Sequence, residues 1–300
     1  YLPERVVTNA EMAALAGCEA EWIASVSGIE ERRFAALAET VADMGARAAE
    51  DCLNRAGVAA SSMGAIIVAS GSSERRFPGP AALVAHKLGL DGVPALDMPM
   101  ASAGSLFALA MASSLSASCG DVLVIGAEKM SAVVLGEPVD KNIAILFGDG
   151  AGACLVGAGD GPGRIAASVL QSDGAFAESL RLEFGETLAM DGRTVILQAS
   201  RKIPRVIQQV LAKGSRAAAD VEVFVMHQAN RNLIVRVAQA LGVAEEKFYT
   251  NIRRYGNTSS ASMLIAACEW WRESGFRPGA SVVFAAFGAG FHWGAVLVEG

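Results

Sequence analysis

The sequence has no CxxC pair and only three histidines in 300 residues, so metal-ligand spacing is absent and no metal centre is expected. Its five cysteines, Cys18, Cys52, Cys119, Cys154 and Cys268, are scattered, which fits reduced thiols in a cytoplasmic protein better than a disulfide framework. Basic charge is also short: 25 Lys and Arg stand against 31 Asp and Glu, a net charge of −6. That balance speaks against nucleic acid or an anionic membrane surface as the main partner. No apolar run approaches the roughly 20 residues of a membrane span, and no secretory pattern opens the chain. The chain begins at Tyr1 without a methionine, and a first strand ahead of Tyr1 is expected.

What is abundant is apolar text. With 52% hydrophobic and 19% charged residues, the chain can form one large domain or two closely packed halves with a sizeable core. The runs 64–71, 93–100, 121–128, 151–159, 221–228, 281–288 and 294–300 are apolar at nearly every position, as strands covered on both faces read. Between them, 40–56 places Val41, Met44, Ala48 and Cys52 on one helical face before Gly57. The stretch 201–213 does the same with Ile203, Ile207, Val210 and Leu211 before Gly214. Alternation of this kind predicts an α/β fold. A weak echo between "FGDGAGACLV" (147–156) and "FGAGFHWGAVLV" (287–298) is what a duplicated βα unit would leave, or a chance likeness of Gly-Ala-rich text.

Polar groups stand where three apolar strands give way to helices. Ser102 follows "ALDMPMA" and opens 103–117, His227 follows "VEVFVM", and Asn257 in "YGNTSSAS" opens a helix running through Trp270. Singly, each has a plain explanation as a cap, a turn or a hydrogen-bonded core residue. Together they fall at the carboxyl ends of strands, where open α/β sheets gather ligands. A helix start also favours an anionic nucleophile or a developing oxyanion at Ser102.

These motifs, with "YLPERVVTNAEM" (1–12), "EWIASVSGIEERR" (21–33), "FPGPAAL" (77–83), "FGDGAGA" (147–153), "MHQAN" (226–230), "GNTSSAS" (256–262) and "FGAGFHWG" (287–294), resemble those of the β-ketoacyl-acyl-carrier-protein synthase III family in the thiolase superfamily. The resemblance implies a five-layered αβαβα fold of two duplicated halves, 1–163 and 164–300. It puts the family's Cys-His-Asn triad on Ser102, His227 and Asn257, and its oxyanion-hole N–H groups on Ser102 and Ala289. The substrates it implies are thioesters of coenzyme A or phosphopantetheine, with no tightly bound cofactor. Trp22 would stack on adenine, Asn230 would contact pantetheine, and Phe77 would cross a homodimer interface to line the partner's acyl pocket.

Three departures stand out. Serine occupies the nucleophile position, and a hydroxyl is a much weaker nucleophile than a partly ionised thiol. Val26 takes the place of a common Arg, leaving Arg32, Arg33 and Lys141 as nearby cations for coenzyme A, with Arg33 and Lys141 the expected contacts. Leu197 replaces a Lys associated with carrier-protein docking, and Arg231 and Arg236 are the basic residues left after Asn230. The expected activity is transfer or decarboxylative condensation of a short acyl group through Ser102. The alternatives are transfer to an oxygen or nitrogen acceptor with His227 as base, a silent partner subunit, or a deliberate Cys-to-Ser exchange.

Overall fold

The structure, a computed structural model, describes residues 1–159 and 161–300. Its first part runs β1 (Arg5–Thr8), α1 (Asn9–Ala16), α2 (Ala20–Ser27), β2 (Glu31–Phe34), α3 (Val41–Ala56), β3 (Ala65–Ala69), α4 (Pro80–Lys87), β4 (Ala95–Met98), α5 (Gly104–Cys119), β5 (Val122–Lys129), α6 (Ser131–Val134), α7 (Lys141–Ala144) and β6 (Asp149–Val156). The second runs β7 (Arg164–Ser172), β8 (Leu180–Arg181), β9 (Ala189–Met190), α8 (Gly192–Lys213), β10 (Val223–Met226), α9 (Arg231–Leu241), β11 (Phe248–Tyr249), α10 (Ile252–Tyr255), α11 (Ser262–Ser274), β12 (Ser281–Gly288) and β13 (His292–Glu299).

Two sheets carry the molecule, in the orders β4-β3-β5-β6 and β11-β10-β12-β13-β7. In each, three parallel strands are followed by an antiparallel return, β6 against β5 and β13 against β12. The echo between 147–156 and 287–298 marks those two returns. Tyr1 exchanges backbone hydrogen bonds with Ala151 on β6.

Alternate residues on each strand serve different layers. Ile66, Val68, Leu123 and Ile125 pack outward with α3 and α4, while Ala65, Ile67, Val122 and Val124 pack inward with α5 and α11. In the second sheet Val223, Val225 and Val282 share that inner cluster, and Phe224, Met226, Val283 and Ala285 face α8 and α9. The result is the five-layered αβαβα thiolase-like fold. Burial on both faces explains the continuous apolar runs, since each wholly covered aliphatic side chain contributes about 1.5–3 kcal/mol.

Several boundaries differ from the sequence expectation. The helix expected over 201–213 begins at Gly192, where Asp191 caps it. Strand β4 is not covered on both faces: it is a sheet edge, and Leu96 is 46% exposed. Asn257 does not open a helix; a tight turn, Ser259–Ala261, separates it from α11. Strand β7 was not anticipated, because its mixed text "RIAASVLQS" lies at the sheet edge and is mostly half-buried.

Candidate active site

Ser102 sits just ahead of α5 with a left-handed φ of 61°. It is not a cap: the α5 N-cap is Ala103, which has no side-chain bond to the helix. A non-glycine residue in that region is strained, and the surroundings must hold it there. They do so from two sides. Gly288 of the second FGxG turn lies so close that a Cβ on it would come within 2.2 Å of the Ala101 carbonyl oxygen and 2.8 Å of the Ala103 nitrogen. From the other side Ser259 Oγ accepts the Ser102 N–H at 2.9 Å.

That second contact corrects an expectation. The Ser102 N–H was expected to be an open oxyanion donor, but Ser259 takes it. The Ala289 N–H lies in the turn between β12 and β13, outside the strand ladder, and Ala289 lines the same cavity as Ser102.

His227 follows β10 and is buried, with Ser262 Oγ 2.6 Å from its Nδ1. Burial pulls its pKa down from 6.5 to about 4, against a smaller upward effect of the Ser259 backbone. The ring is therefore neutral at physiological pH. Ser262 Oγ already accepts the Gln228 N–H, so its own proton is free for Nδ1. If Ser262 Oγ gives that proton to Nδ1, the ring carries its own proton on Nε2.

Asn257 is held by the first FGxG turn. Its N–H donates to the Leu146 carbonyl at 2.8 Å, and its carbonyl accepts the Gly148 N–H at 3.1 Å. Gly148 is required, since a Cβ there would meet the Tyr255 carbonyl oxygen at 2.4 Å. The Asn257 side chain is fixed as well, because Oδ1 accepts the Ser259 N–H at 2.8 Å. The Nδ2 amino group is left as the end of the amide available for a ligand.

One cavity of about 290 Å³ is lined by Ser102, His227, Asn257 and Ala289, together with Trp22, Val26, Asn230 and a largely apolar wall that includes Leu188, Met190, Ile203 and Phe287. Lys141 Nζ lies 5.7 Å from the centre of the Trp22 ring. Asn230 caps α9 through Oδ1 and ties it to α2 through an Nδ2 bond to the Val26 carbonyl, so a pantetheine contact would have to share those atoms.

Not every expected residue comes to the cavity. Arg33 turns toward the carbonyls of Pro3 and Glu4, and its neighbour Arg32 is wholly buried, donating to Asn9 and to the Val7 and Ile145 carbonyls. Phe77 is 84% exposed and is absent from the lining of its own cavity. The cation that does line the cavity is Arg181, which sequence reasoning missed; it lies on the short strand β8, whose two residues carry no readable period. Ser259 was missed too, one serine among three in "NTSSAS".

The apolar pocket ends on the Ser102 hydroxyl and two fixed polar side chains, His227 and Asn257. Two profiles, 3-oxoacyl-[acyl-carrier-protein (ACP)] synthase III and the C-terminal domain of the same enzyme, match residues 96–174 and 211–299. The chain is 37% identical over 319 residues to a β-ketoacyl-[acyl-carrier-protein] synthase III of Oleidesulfovibrio alaskensis, covering 100% of this chain and 96% of that one. It is 38% identical over 309 residues to its counterpart in Serratia proteamaculans at the same coverage. The crystal structure of 3-oxoacyl-[acyl-carrier-protein] synthase III from Aquifex aeolicus superposes with a TM-score of 0.96 at 36% identity, over 100% of this chain and 97% of that one. The chain belongs to the β-ketoacyl-acyl-carrier-protein synthase III family. Among the described residues no helix is long and apolar enough to cross a membrane.

Proposed function

We propose that the protein takes a short acyl group from a thioester onto Ser102 Oγ, the acyl C–S bond breaking and the hydroxyl proton passing to the departing thiolate. A malonyl thioester then loses carbon dioxide, and the enolate left by this decarboxylation attacks the ester, returning Ser102 Oγ, reprotonated from water, to its free state. The observation that carries this reading is the pair of fixed donors. The Ser259 N–H takes Asn257 Oδ1 and leaves Nδ2 to donate, and the His227 ring, neutral through burial, donates from Nε2 in the tautomer whose Nδ1 accepts from Ser262 Oγ–H. Two neutral donors on one cavity suit a thioester carbonyl that becomes an enolate as carboxylate leaves, because the developing charge meets dipoles already in place. His227 as a base for Ser102 is less well supported, since the side-chain oxygen nearest the Ser102 hydroxyl along its bonding direction is Ser259 Oγ at 3.5 Å, while His227 bonds Ser262.

Trp22, Lys141 and Arg181 supply a flat apolar face and two cations for the phosphate-bearing arm of coenzyme A or of a carrier protein. Intact-mass measurement after incubation with acyl-coenzyme A and acyl-carrier thioesters tests the first step. An acyl adduct is expected in the wild-type chain and not in Ser102→Ala. No adduct from any donor would remove the reading, and the donor that works identifies the thioester class.

The reading includes a homodimer, supported by the exposed edge. The free edge of β4 carries Leu96, and Phe77 and Met111, 84% and 51% exposed, are further uncovered apolar side chains. Asp97 of β4 accepts the Ala81 N–H at 2.8 Å, which keeps the Phe77 segment beside that edge. An open apolar edge is a pairing surface, and a two-fold pairing of β4 with β4 would carry Phe77 toward the partner's acyl pocket. Sedimentation at twice the 31.0 kDa chain mass is expected, with Leu96→Lys shifting it toward monomer; a monomeric wild type would overturn the dimer.

A further inference from the structure

Beneath Ser102 lies a set of contacts that the acyl-transfer chemistry above does not use. Glu128, at the end of β5, is wholly buried. It accepts from the backbone N–H groups of Gly71, Ser72 and Ser260 and from the hydroxyls of Ser70, Ser72 and Ser259. The Ser259 bond is 2.8 Å and consumes the only proton that Ser259 Oγ has to give. Toward the cavity Ser259 can therefore only accept. It accepts the Ser102 N–H at 2.9 Å, and its Oγ lies 3.5 Å from Ser102 Oγ, within reach of that hydroxyl proton, although longer than a formed O–H···O bond.

Ser259 is also, among the described residues, one of three non-glycine residues with positive φ, at 47°. A left-handed serine beside a left-handed serine is strain of the kind that persists where the surroundings over-determine it. Here the surroundings are the Glu128 carboxylate, the Asn257 amide and the Ser102 N–H, all bonded to this one residue.

We propose that Ser259 is a positioning residue for an oxygen nucleophile: anchored by Glu128, its hydroxyl accepts from Ser102 Oγ–H and aims a Ser102 lone pair into the acyl cavity. Ser102, Ser259 and Glu128 then form one line of hydrogen bonds in which each donor polarises the next. No proton leaves the line in the ground state, so the effect is orientation and polarisation. A thiol needs this less, because it reacts as a thiolate with no proton to direct. The proposal rests on the acyl-serine reading.

The test places Ser259→Gly in two backgrounds, the wild-type chain and Ser102→Cys, and follows acyl-adduct formation from an acyl-coenzyme A by intact mass. Glycine removes the hydroxyl and relaxes the left-handed backbone, and Glu128 keeps its donors from Ser70, Gly71, Ser72 and Ser260; an unchanged melting temperature checks that the fold is spared. With Ser102 present, the acylation rate should fall about a hundredfold with little change in half-saturating donor, the scale of a misplaced reacting atom. In the cysteine background the loss should stay within about threefold, well short of that misplacement cost. Equal losses in both backgrounds would mean a merely structural role and overturn the proposal. So would an unchanged or faster Ser102 variant, the latter showing that the freed Ser102 N–H serves better as an oxyanion donor. A wild-type chain that is never acylated removes the acyl-serine reading and this proposal with it, an outcome distinct from normal acylation of the glycine variant.

Discussion

Replacing Asn257 or His227 with alanine is expected to cut malonyl decarboxylation by about a thousandfold each, the upper range for loss of one preorganised donor at a developing oxyanion. Labelled carbon dioxide released from malonyl-coenzyme A or malonyl-carrier protein reads the effect directly, without the acylation step. Asn257→Asp should be as poor as the alanine variant, because it would offer an acceptor and a negative charge where the enolate needs a donor. The pH profile gives an independent check. Burial holds His227 near 4, so the ring stays neutral as pH falls through the ordinary histidine range and takes up its proton only near the lowered value. The release rate should show no acid limb near 6.5. The unfolded chain would bind that proton between about 6.5 and 4, so the same burial costs folding stability as pH falls through that window. Release near wild-type levels in both alanine variants would remove the enolate-stabilising pair from the mechanism.

Ser102 and His227 were legible because each follows a parallel strand, and the ends of such strands are read from hydropathy alone; Asn257 instead follows the short helix α10, and only the likeness of "GNTSSAS" to the family marked it. The support beneath the three was not legible. Ser259 is chemically identical to its neighbours in "NTSSAS", and its distinction is a backbone dihedral and a partner 131 residues away. A signal for that partner did exist: Glu128 and Lys129 close a strand buried along its whole length, and charged groups in such a place must be paired or saturated with hydrogen bonds. Glu128 is saturated from the 70–72 and 259–260 segments, and Lys129 Nζ donates to the carbonyls of Ala36, Leu37 and Glu39. The two FGxG turns were legible as an echo, but their separate tasks were not. One grips Asn257 by backbone bonds and the other presses Gly288 against the Ser102 corner; neither task is a property of the local text. Arg33 misled because adjacent arginines in a strand point to opposite faces, and in "ERRF" neither face proved to be the cavity.

Ser102→Cys is expected to acylate about a hundredfold faster than the wild-type chain, since a thiol supplies its own anion and avoids the general-base deficit that costs an oxygen nucleophile 10² or more. The helix start of α5 strengthens the expectation, because its unpaired N–H groups favour a thiolate. Two features of this site work in the other direction. The Ser102 N–H is committed to Ser259, so a cysteine would inherit only part of the helix-start field. Ser259 Oγ also lies only 3.5 Å from Ser102 Oγ, and a sulfur, larger and on a longer bond to Cβ, must turn toward the cavity to fit. Pre-steady-state acylation with one acyl-coenzyme A, read by intact mass in both chains, decides between these effects. A faster cysteine variant would mean that the thiol's own anion outweighs the orientation that Ser259 gives a hydroxyl. A slower one would mean that Ser259 and Glu128 have tuned the site to a hydroxyl, and the condensation step would then proceed from an oxygen ester whose carbonyl is less activated than a thioester, with His227 and Asn257 carrying more of the barrier.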